Sequence, residues 1–187
     1  MDGTILWLTG LSGSGKTTLA TAVATRLRPW RPVEILDGDE IRKQLSPDLG
    51  FTREDRELNV WRIGFVARLL ARHGVLAIAA AISPYASSRN EIRRLAVNDG
   101  VRFVEVFLDA ELQCLVDRDV KGLYQRALAG ELANFSGISD PYEAPTHPEI
   151  VVRTDRESPD VSAQKIVDAL VALGVVRNTT TDQTSSV

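Results

Sequence analysis

Sulfur and histidine are scarce in this chain. One cysteine, Cys114, stands among 187 residues, so no disulfide can form within the chain, and the composition fits a reducing compartment. The two histidines, His73 and His147, fit no ligand spacing, which argues for structural roles rather than a histidine-built metal centre. Long apolar runs are missing as well. The most apolar stretch, "VLAIAAAI" from Val75 to Ile82, is far shorter than the roughly 20 residues a membrane-spanning helix needs. Nor is there an excess of positive charge. Lys and Arg number 22 against 25 Asp and Glu, for a formal net charge of -3, the reverse of a nucleic-acid-binding footprint. The opening "MDGTILWLTG" carries Asp2 and no basic segment, so it does not read as a signal peptide. The expectation is a cytoplasmic protein with neither a membrane nor a nucleic acid as partner.

What is present is a regular alternation. Thr4 to Thr9, Val33 to Leu36, Val75 to Ile82, "RFVEVFL" and "EIVVRT" read as strands. Between them, Thr17 to Leu27, a segment from near Asp39, the long "TREDRELNVWRIGFVARLLARHG", Ser87 to Asn98, Glu111 to Asp117 and Val161 to Leu173 read as helices. Thr52 with Asp55 resembles a capping box, and Gly74 is a stop signal. Asp39 is expected to cap free amides at its helix start. Several strands are continuous apolar runs, the pattern of a parallel sheet covered on both faces. This predicts an α/β fold in three layers, with a doubly wound, mostly parallel sheet. No composition shift divides the chain, so residues 1–176 are expected to form one domain. The polar tail, residues 177–187, is expected to be disordered.

The strongest motif is "GLSGSGKTT". Gly10, Gly15, Lys16 and Thr17 satisfy G-x-x-x-x-G-K-[ST] in full, directly after a strand and opening a helix. The loop Gly10, Leu11, Ser12, Gly13, Ser14, Gly15 would wrap phosphate oxygens with its amides, continuing through Thr18 into the helix start. Lys16 would reach the outer phosphates of ATP, and the Thr17 hydroxyl would bind Mg²⁺. This makes the fold one of the P-loop nucleoside triphosphate hydrolase or kinase type. Asp37 and Asp39, in "ILDGDEIR", fall at the C-terminal edge of the second strand, where open α/β sheets bind ligands. One carboxylate would support Mg²⁺ or its waters, and one would accept a proton from an attacking hydroxyl. Asp39 is the expected main catalytic carboxylate and, with Thr17, the expected metal contact. No guanine-specificity tetrad is evident, so a small-molecule kinase is favoured over a GTPase.

At "DGDEIR" followed by "LGFTREDRELN", the sequence resembles the adenylyl sulfate kinases (APS kinases). The likeness continues through "ISPYASSR", "DRDVKGLYQRALAGELANFSGISDPYEAP" and "EIVVRT". The resemblance implies transfer of the ATP γ-phosphate to the 3′-hydroxyl of adenylyl sulfate, with Mg²⁺, in a homodimer. It implies substrate-binding roles for Asp39, Arg42, Phe51, Arg56, Asn59, Ile82 and Ser83. It places Arg118, Lys121, Gly122 and Leu123 in a lid, roughly residues 117–135, with Arg118 on the ATP side. Phe135 matches an adenine-stacking position. The physics agrees: arginines suit a phosphate–sulfate anhydride, and aromatic faces suit adenine. The family describes the Ser83 position as a phosphoserine intermediate, but P-loop kinases transfer in line and directly. Ser83 is therefore read chiefly as a substrate contact.

Some positions depart from the family pattern. Leu58 stands where a Glu is usual, Trp61 where an Arg is usual, and Phe65 where an acid is common. In the lid, Val120 replaces a proline and Leu128 a common arginine. Two other readings are therefore carried: a kinase of the same shape acting on a different small hydroxyl substrate in specialised metabolism, and a catalytically idle nucleotide-binding protein.

Overall fold

The computed structural model describes residues 3–176; the predicted tail lies outside them. In chain order the elements are β1 (Thr4–Thr9), α1 (Lys16–Leu27), β2 (Val33–Asp37), α2 (Gly38–Leu45), α3 (Arg53–Arg72), β3 (Leu76–Ala80), α4 (Ala86–Asn98), β4 (Arg102–Asp109), α5 (Leu112–Arg118), α6 (Leu123–Leu128), β5 (Ile150–Arg153) and α7 (Pro159–Ala172). The five strands form one sheet in the order β2-β3-β1-β4-β5, and every pairing is parallel. The expected α/β doubly wound fold is therefore present.

The sheet separates two apolar layers. On one side, Leu6 and Leu8 of β1 meet Leu19 and Val23 of α1 and Ile166 and Leu170 of α7. On the other, Ile5 and Trp7 meet Ile63 and Ala67 of α3 and Ile92 of α4. Successive β1 side chains thus alternate between two cores, and all six of its residues are buried. This explains why its sequence is apolar throughout rather than alternating. Burying each large side chain contributes about 1.5–3 kcal/mol. Among the described residues no helix is long and apolar enough to cross a membrane.

Local signals account for the helix ends. The capping box at α3 is complete: Thr52 accepts from Asp55 N, and the Asp55 carboxylate accepts from Thr52 N. The cap of α2 differs from expectation. Asp37, not Asp39, accepts from the amides of Asp39 and Glu40, because β2 runs straight into the helix and leaves Asp37 as its last extended residue. Cys114 on α5 is half-buried, and Trp30, just beyond α1, is half-exposed. Residues 117–135, expected as a lid, hold an unforeseen helix, α6, which starts after Gly122 in a left-handed turn.

α3 and α4 meet closely at Gly64. A Cβ added there would stand 2.3 Å from Ile92 Cδ1, 2.7 Å from Cγ1 and 2.9 Å from Cγ2. Both branches of a buried side chain are involved, so rotating one of them does not relieve the clash. Gly64→Ala should therefore destabilise by about 1–3 kcal/mol, outweighing alanine's helix advantage of about 1 kcal/mol. In urea unfolding, Gly64→Ala combined with Ile92→Ala should cost less than the two single changes summed. An unchanged midpoint for Gly64→Ala would show this contact to be slack.

Candidate active site

The C-terminal ends of β1, β2 and β3 open onto one cleft of about 300 Å³. The loop after β1 forms its floor. Gly10 passes so close to β4 that a Cβ would meet Leu108 O and Ser14 Oγ, each at 2.8 Å. Gly15 precedes α1 at φ 89°, and no side chain caps the helix. Its first amides are left for an anion. Lys16 is folded back on the loop: its Nζ donates to Gly10 O (3.0 Å), Leu11 O (2.7 Å) and Ser14 Oγ (3.4 Å). That enclosure desolvates the ammonium and lowers its pKa to about 8, against an opposing pull from Asp39.

The two carboxylates after β2 have different environments. Asp37 is held from two sides: Oδ1 caps α2, and Oδ2 accepts from Thr17 Oγ1 at 2.6 Å. This bond ties the helix that starts at the phosphate loop to the next strand but one. Asp39 is freer. It accepts from Lys121 Nζ at 2.5 Å, and that bond holds its carboxyl below the usual range. Lys121 lies between α5 and α6, so this ion pair joins that segment to the turn after β2.

The third wall follows β3. Ser83 is buried at φ 42°. Its Oγ receives Trp7 Nε1 at 3.0 Å and lies 3.2 Å from Thr9 Oγ1. Arg89 holds the turn by donating to Ser83 O (2.7 Å), to Glu143 O (2.7 Å) and to the buried Glu105 carboxylate (2.8 Å). No carboxylate or imidazole among the described residues hydrogen-bonds Ser83 Oγ. Beyond it lies an arginine–aromatic cluster: the guanidinium of Arg42 lies 4.4 Å and that of Arg56 5.6 Å from the Phe51 ring centroid. Phe51 is 57% exposed, an open aromatic face rather than core. Asn59 is buried beside it, and its Oδ1 lacks a hydrogen-bond partner.

The structure thus gathers Ser12, Gly13, Gly15, Lys16, Thr17, Thr18, Asp37, Asp39, Arg42, Phe51, Arg56, Asn59, Ile82, Ser83, Lys121 and Leu123 around one cleft. Gly10, Leu11 and Ser14 support it from behind. Gly122 shapes the turn into α6. Arg118 and Phe135 do not line it. Arg118 donates to Thr154 O at 2.9 Å, and Phe135 sets its ring edge-on to Tyr124 at 5.1 Å.

Sequence reasoning overlooked Tyr124, Asp119 and Asp140. Tyr124 is buried, and its hydroxyl donates to Ser12 O at 2.8 Å, joining α6 to the glycine loop after β1. Asp119 accepts from Tyr124 N and Gln125 N and so fixes the start of α6. Asp140 accepts from Tyr85 at 2.8 Å and lies 3.9 Å from Arg56. "KGLYQRA" could have flagged Tyr124 as an apolar anchor in a polar segment; Asp140 carries no local signal.

A family model described as adenylylsulphate kinase matches residues 2–153. The adenylyl-sulfate kinase of Myxococcus xanthus is 59% identical over 174 residues, 93% of this chain and 94% of that protein. That of Chloroflexus aurantiacus is 53% identical over 176 residues, covering 94% and 92%. The solved APS kinase of Mycobacterium tuberculosis, in complex with AMPPNP and APS, is 42% identical with a TM-score of 0.86. The match covers 90% of this chain and 98% of that one.

The lowered Lys16 pKa has a testable consequence. Below about 8 the ammonium is charged and available to phosphate; above it, the unliganded loop loses that charge. Calorimetric affinity for a nonhydrolysable ATP analogue should therefore fall as pH rises through about 8. Turnover at saturating ATP should depend less on pH, because bound phosphates raise the ammonium's pKa. Affinity that stays level up to about pH 9.5 would show Lys16 charged throughout.

Proposed function

This chain belongs to the adenylylsulphate kinase family, and from that premise we propose how its residues divide the work. The reaction is transfer of the ATP γ-phosphate to the 3′-hydroxyl of adenylyl sulfate, giving 3′-phosphoadenylyl sulfate. One observation carries the assignment of roles. The phosphate loop, Asp39 and the Arg42–Phe51–Arg56 cluster line the same cleft.

On the ATP side, the loop amides and the uncapped start of α1 bind the phosphates. Lys16 exchanges its carbonyl partners for the outer phosphates. Residues 1–176 act as one kinase domain in the cytoplasm, with residues 117–135 as its lid. Arg118 and Phe135 are engaged away from the cleft, so their contact with nucleotide requires a shift of that lid. Such a shift would also part Lys121 from Asp39.

Mg²⁺ fits the donors present. Thr17, Asp37 and Asp39 offer hard oxygens, and no group of three or more His, Cys, Asp or Glu among the described residues forms a metal cage. That sparse set suits an ion that keeps waters and phosphate oxygens in its shell. Thr17 and Asp39 would hold it directly or through water, with Asp37 orienting Thr17. When bound, Mg²⁺ neutralises charge on the transferring phosphates.

On the other side, Phe51 presents a face to the adenine, and Arg42 and Arg56 meet the phosphate–sulfate anhydride. The unpartnered Asn59 Oδ1 accepts a substrate donor, and Ile82 flanks the bound ring. Ser83 positions the substrate. Its hydroxyl is already engaged by Trp7 and has no neighbouring base, which supports direct in-line transfer. Asp39 orients the attacking hydroxyl and takes its proton late in the transfer. The Lys121 hydrogen bond holds its carboxyl below the usual range, so it is an anion before transfer begins.

The test is a coupled assay of the purified protein with ATP, Mg²⁺ and adenylyl sulfate, run beside other small alcohols. Asp39→Asn should lower turnover by about 10²- to 10⁴-fold while ATP still binds, and Lys16→Ala should nearly abolish transfer. If Asp39→Asn stays within a few-fold of wild type and Asp37→Asn is dead, the two carboxylates exchange roles. Arg56→Ala and Asn59→Ala should raise KM for adenylyl sulfate far more than KM for ATP. A change confined to ATP would remove both residues from the substrate subsite.

A further inference from the structure

Arg56 lines the cleft, yet two of the groups that grip it, Asn134 and Asp140, do not. Its Nε donates to Phe51 O at 3.1 Å, and its Nη2 donates to Asn134 O. Asp140 Oδ2 lies 3.9 Å from Nε, and both side chains are largely out of solvent. Among the described residues Nη1 has no hydrogen-bond partner, so it is the edge of the guanidinium left for a ligand.

Asp140 is itself fixed from the side and from behind. Tyr85 is buried and donates its hydroxyl to Asp140 Oδ2 at 2.8 Å. The Arg53 guanidinium covers the Tyr85 ring, 4.4 Å from its centroid. The backbone turn that carries Asp140 is braced as well. The amides of Ile138, Ser139 and Asp140 donate to Phe135 O at 3.0, 3.0 and 3.1 Å, and Gly137 N donates to Asp140 O at 2.7 Å. Gly137 has φ 89°, and a Cβ there would stand 2.7 Å from Leu11 Cδ2. The turn therefore sits tight against the glycine loop and presents the carboxylate from a rigid base.

Electrostatics explains why an acid suits this place. Arg42 and Arg56 both approach the Phe51 ring, so two like charges crowd one subsite. Burial lowers the Arg56 pKa, and Asp140 is the largest charge acting against that. At 3.9 Å the carboxylate is beyond hydrogen-bond reach of Nε. It attracts the guanidinium without consuming a donor, because its near oxygen is already held by Tyr85.

We propose that Asp140 is a positioning residue for the adenylyl sulfate subsite. Anchored by Tyr85, its carboxylate steers Arg56 so that Nη1 faces the phosphate–sulfate group of the substrate. It acts through Arg56 and does not itself touch substrate. The role deepens the proposed reaction and rests on it.

Steady-state kinetics of the full chain with ATP, Mg²⁺ and adenylyl sulfate tests this. Asp140→Asn keeps the size and an acceptor for Tyr85 but loses the charge. It should raise KM for adenylyl sulfate about tenfold and leave KM for ATP within about twofold. Tyr85→Phe should act in the same direction by about threefold, since it frees the carboxylate. In an Arg56→Ala background, Asp140→Asn should add no more than about twofold, a non-additivity that a merely structural role does not produce. Circular dichroism and calorimetric affinity for a nonhydrolysable ATP analogue, both near wild type, would verify the fold. A wild type that does not turn over adenylyl sulfate overturns the reaction and this role together. With wild type active, an unchanged KM for adenylyl sulfate in Asp140→Asn overturns the role alone. So does an equal rise in both KM values, or full additivity with Arg56→Ala. Should Asp140→Asn fail to fold, Tyr85→Phe decides, and an unchanged KM for adenylyl sulfate there overturns the role.

Discussion

The function of this molecule depends on the parallel pairing of β1 with β3 and β4. Parallel strands deliver all their C-terminal ends to one edge of the sheet, and that edge is where backbone amides and helix starts are free to meet a ligand. Here it brings together three loops that are far apart in the chain: the glycine loop after β1, the Asp37–Asp39 turn after β2 and the Ser83 turn after β3. The hydrogen bond from Thr17 to Asp37 and that from Trp7 to Ser83 lock these loops to one another. The buried Arg89–Glu105 pair holds the third from behind. Removing one partner of such a pair would strand a buried charge, so the turn is kept by electrostatics as much as by packing.

Electrostatics also divides the two carboxylates. Asp37 and Asp39 are two residues apart and chemically the same, yet Asp37 is tied into the fold from two sides while Asp39 is held only by Lys121. Asp37 satisfies helix amides and a threonine hydroxyl. Asp39 hydrogen-bonds Lys121 and also feels the charges of Lys16 and Lys43. Lys16 rests on the carbonyls of Gly10 and Leu11, while Lys121 pairs with Asp39.

α3 carries two surfaces at once. Its first turns hold Arg56 and Asn59 toward the cleft, and its middle packs so tightly on α4 that only glycine fits at position 64. Its outer stripe faces away from both. Cleft lining, core and exposed apolar stripe are thus sorted around one helix by the 3.6-residue repeat.

Much of this was readable along the chain, because the signals are local. The glycine loop, the Thr52–Asp55 box, the apolar strands and the alternation that implies a parallel sheet each depend on residues within a few positions of one another. Ordered motifs then named the family and brought Arg42, Phe51, Arg56 and Asn59 to one site. Tertiary structure decided the rest, because those contacts join residues far apart in sequence. It chose Asp37 over Asp39 as the α2 cap by carrying β2 one residue further. It turned Trp61 outward while burying Trp7, a difference set by which face of each element the sheet covers. It linked Tyr124 to Ser12 across 112 positions and Lys121 to Asp39 across 82. No local pattern encodes such pairs, since each partner's burial and charge exist only once the separate elements have packed.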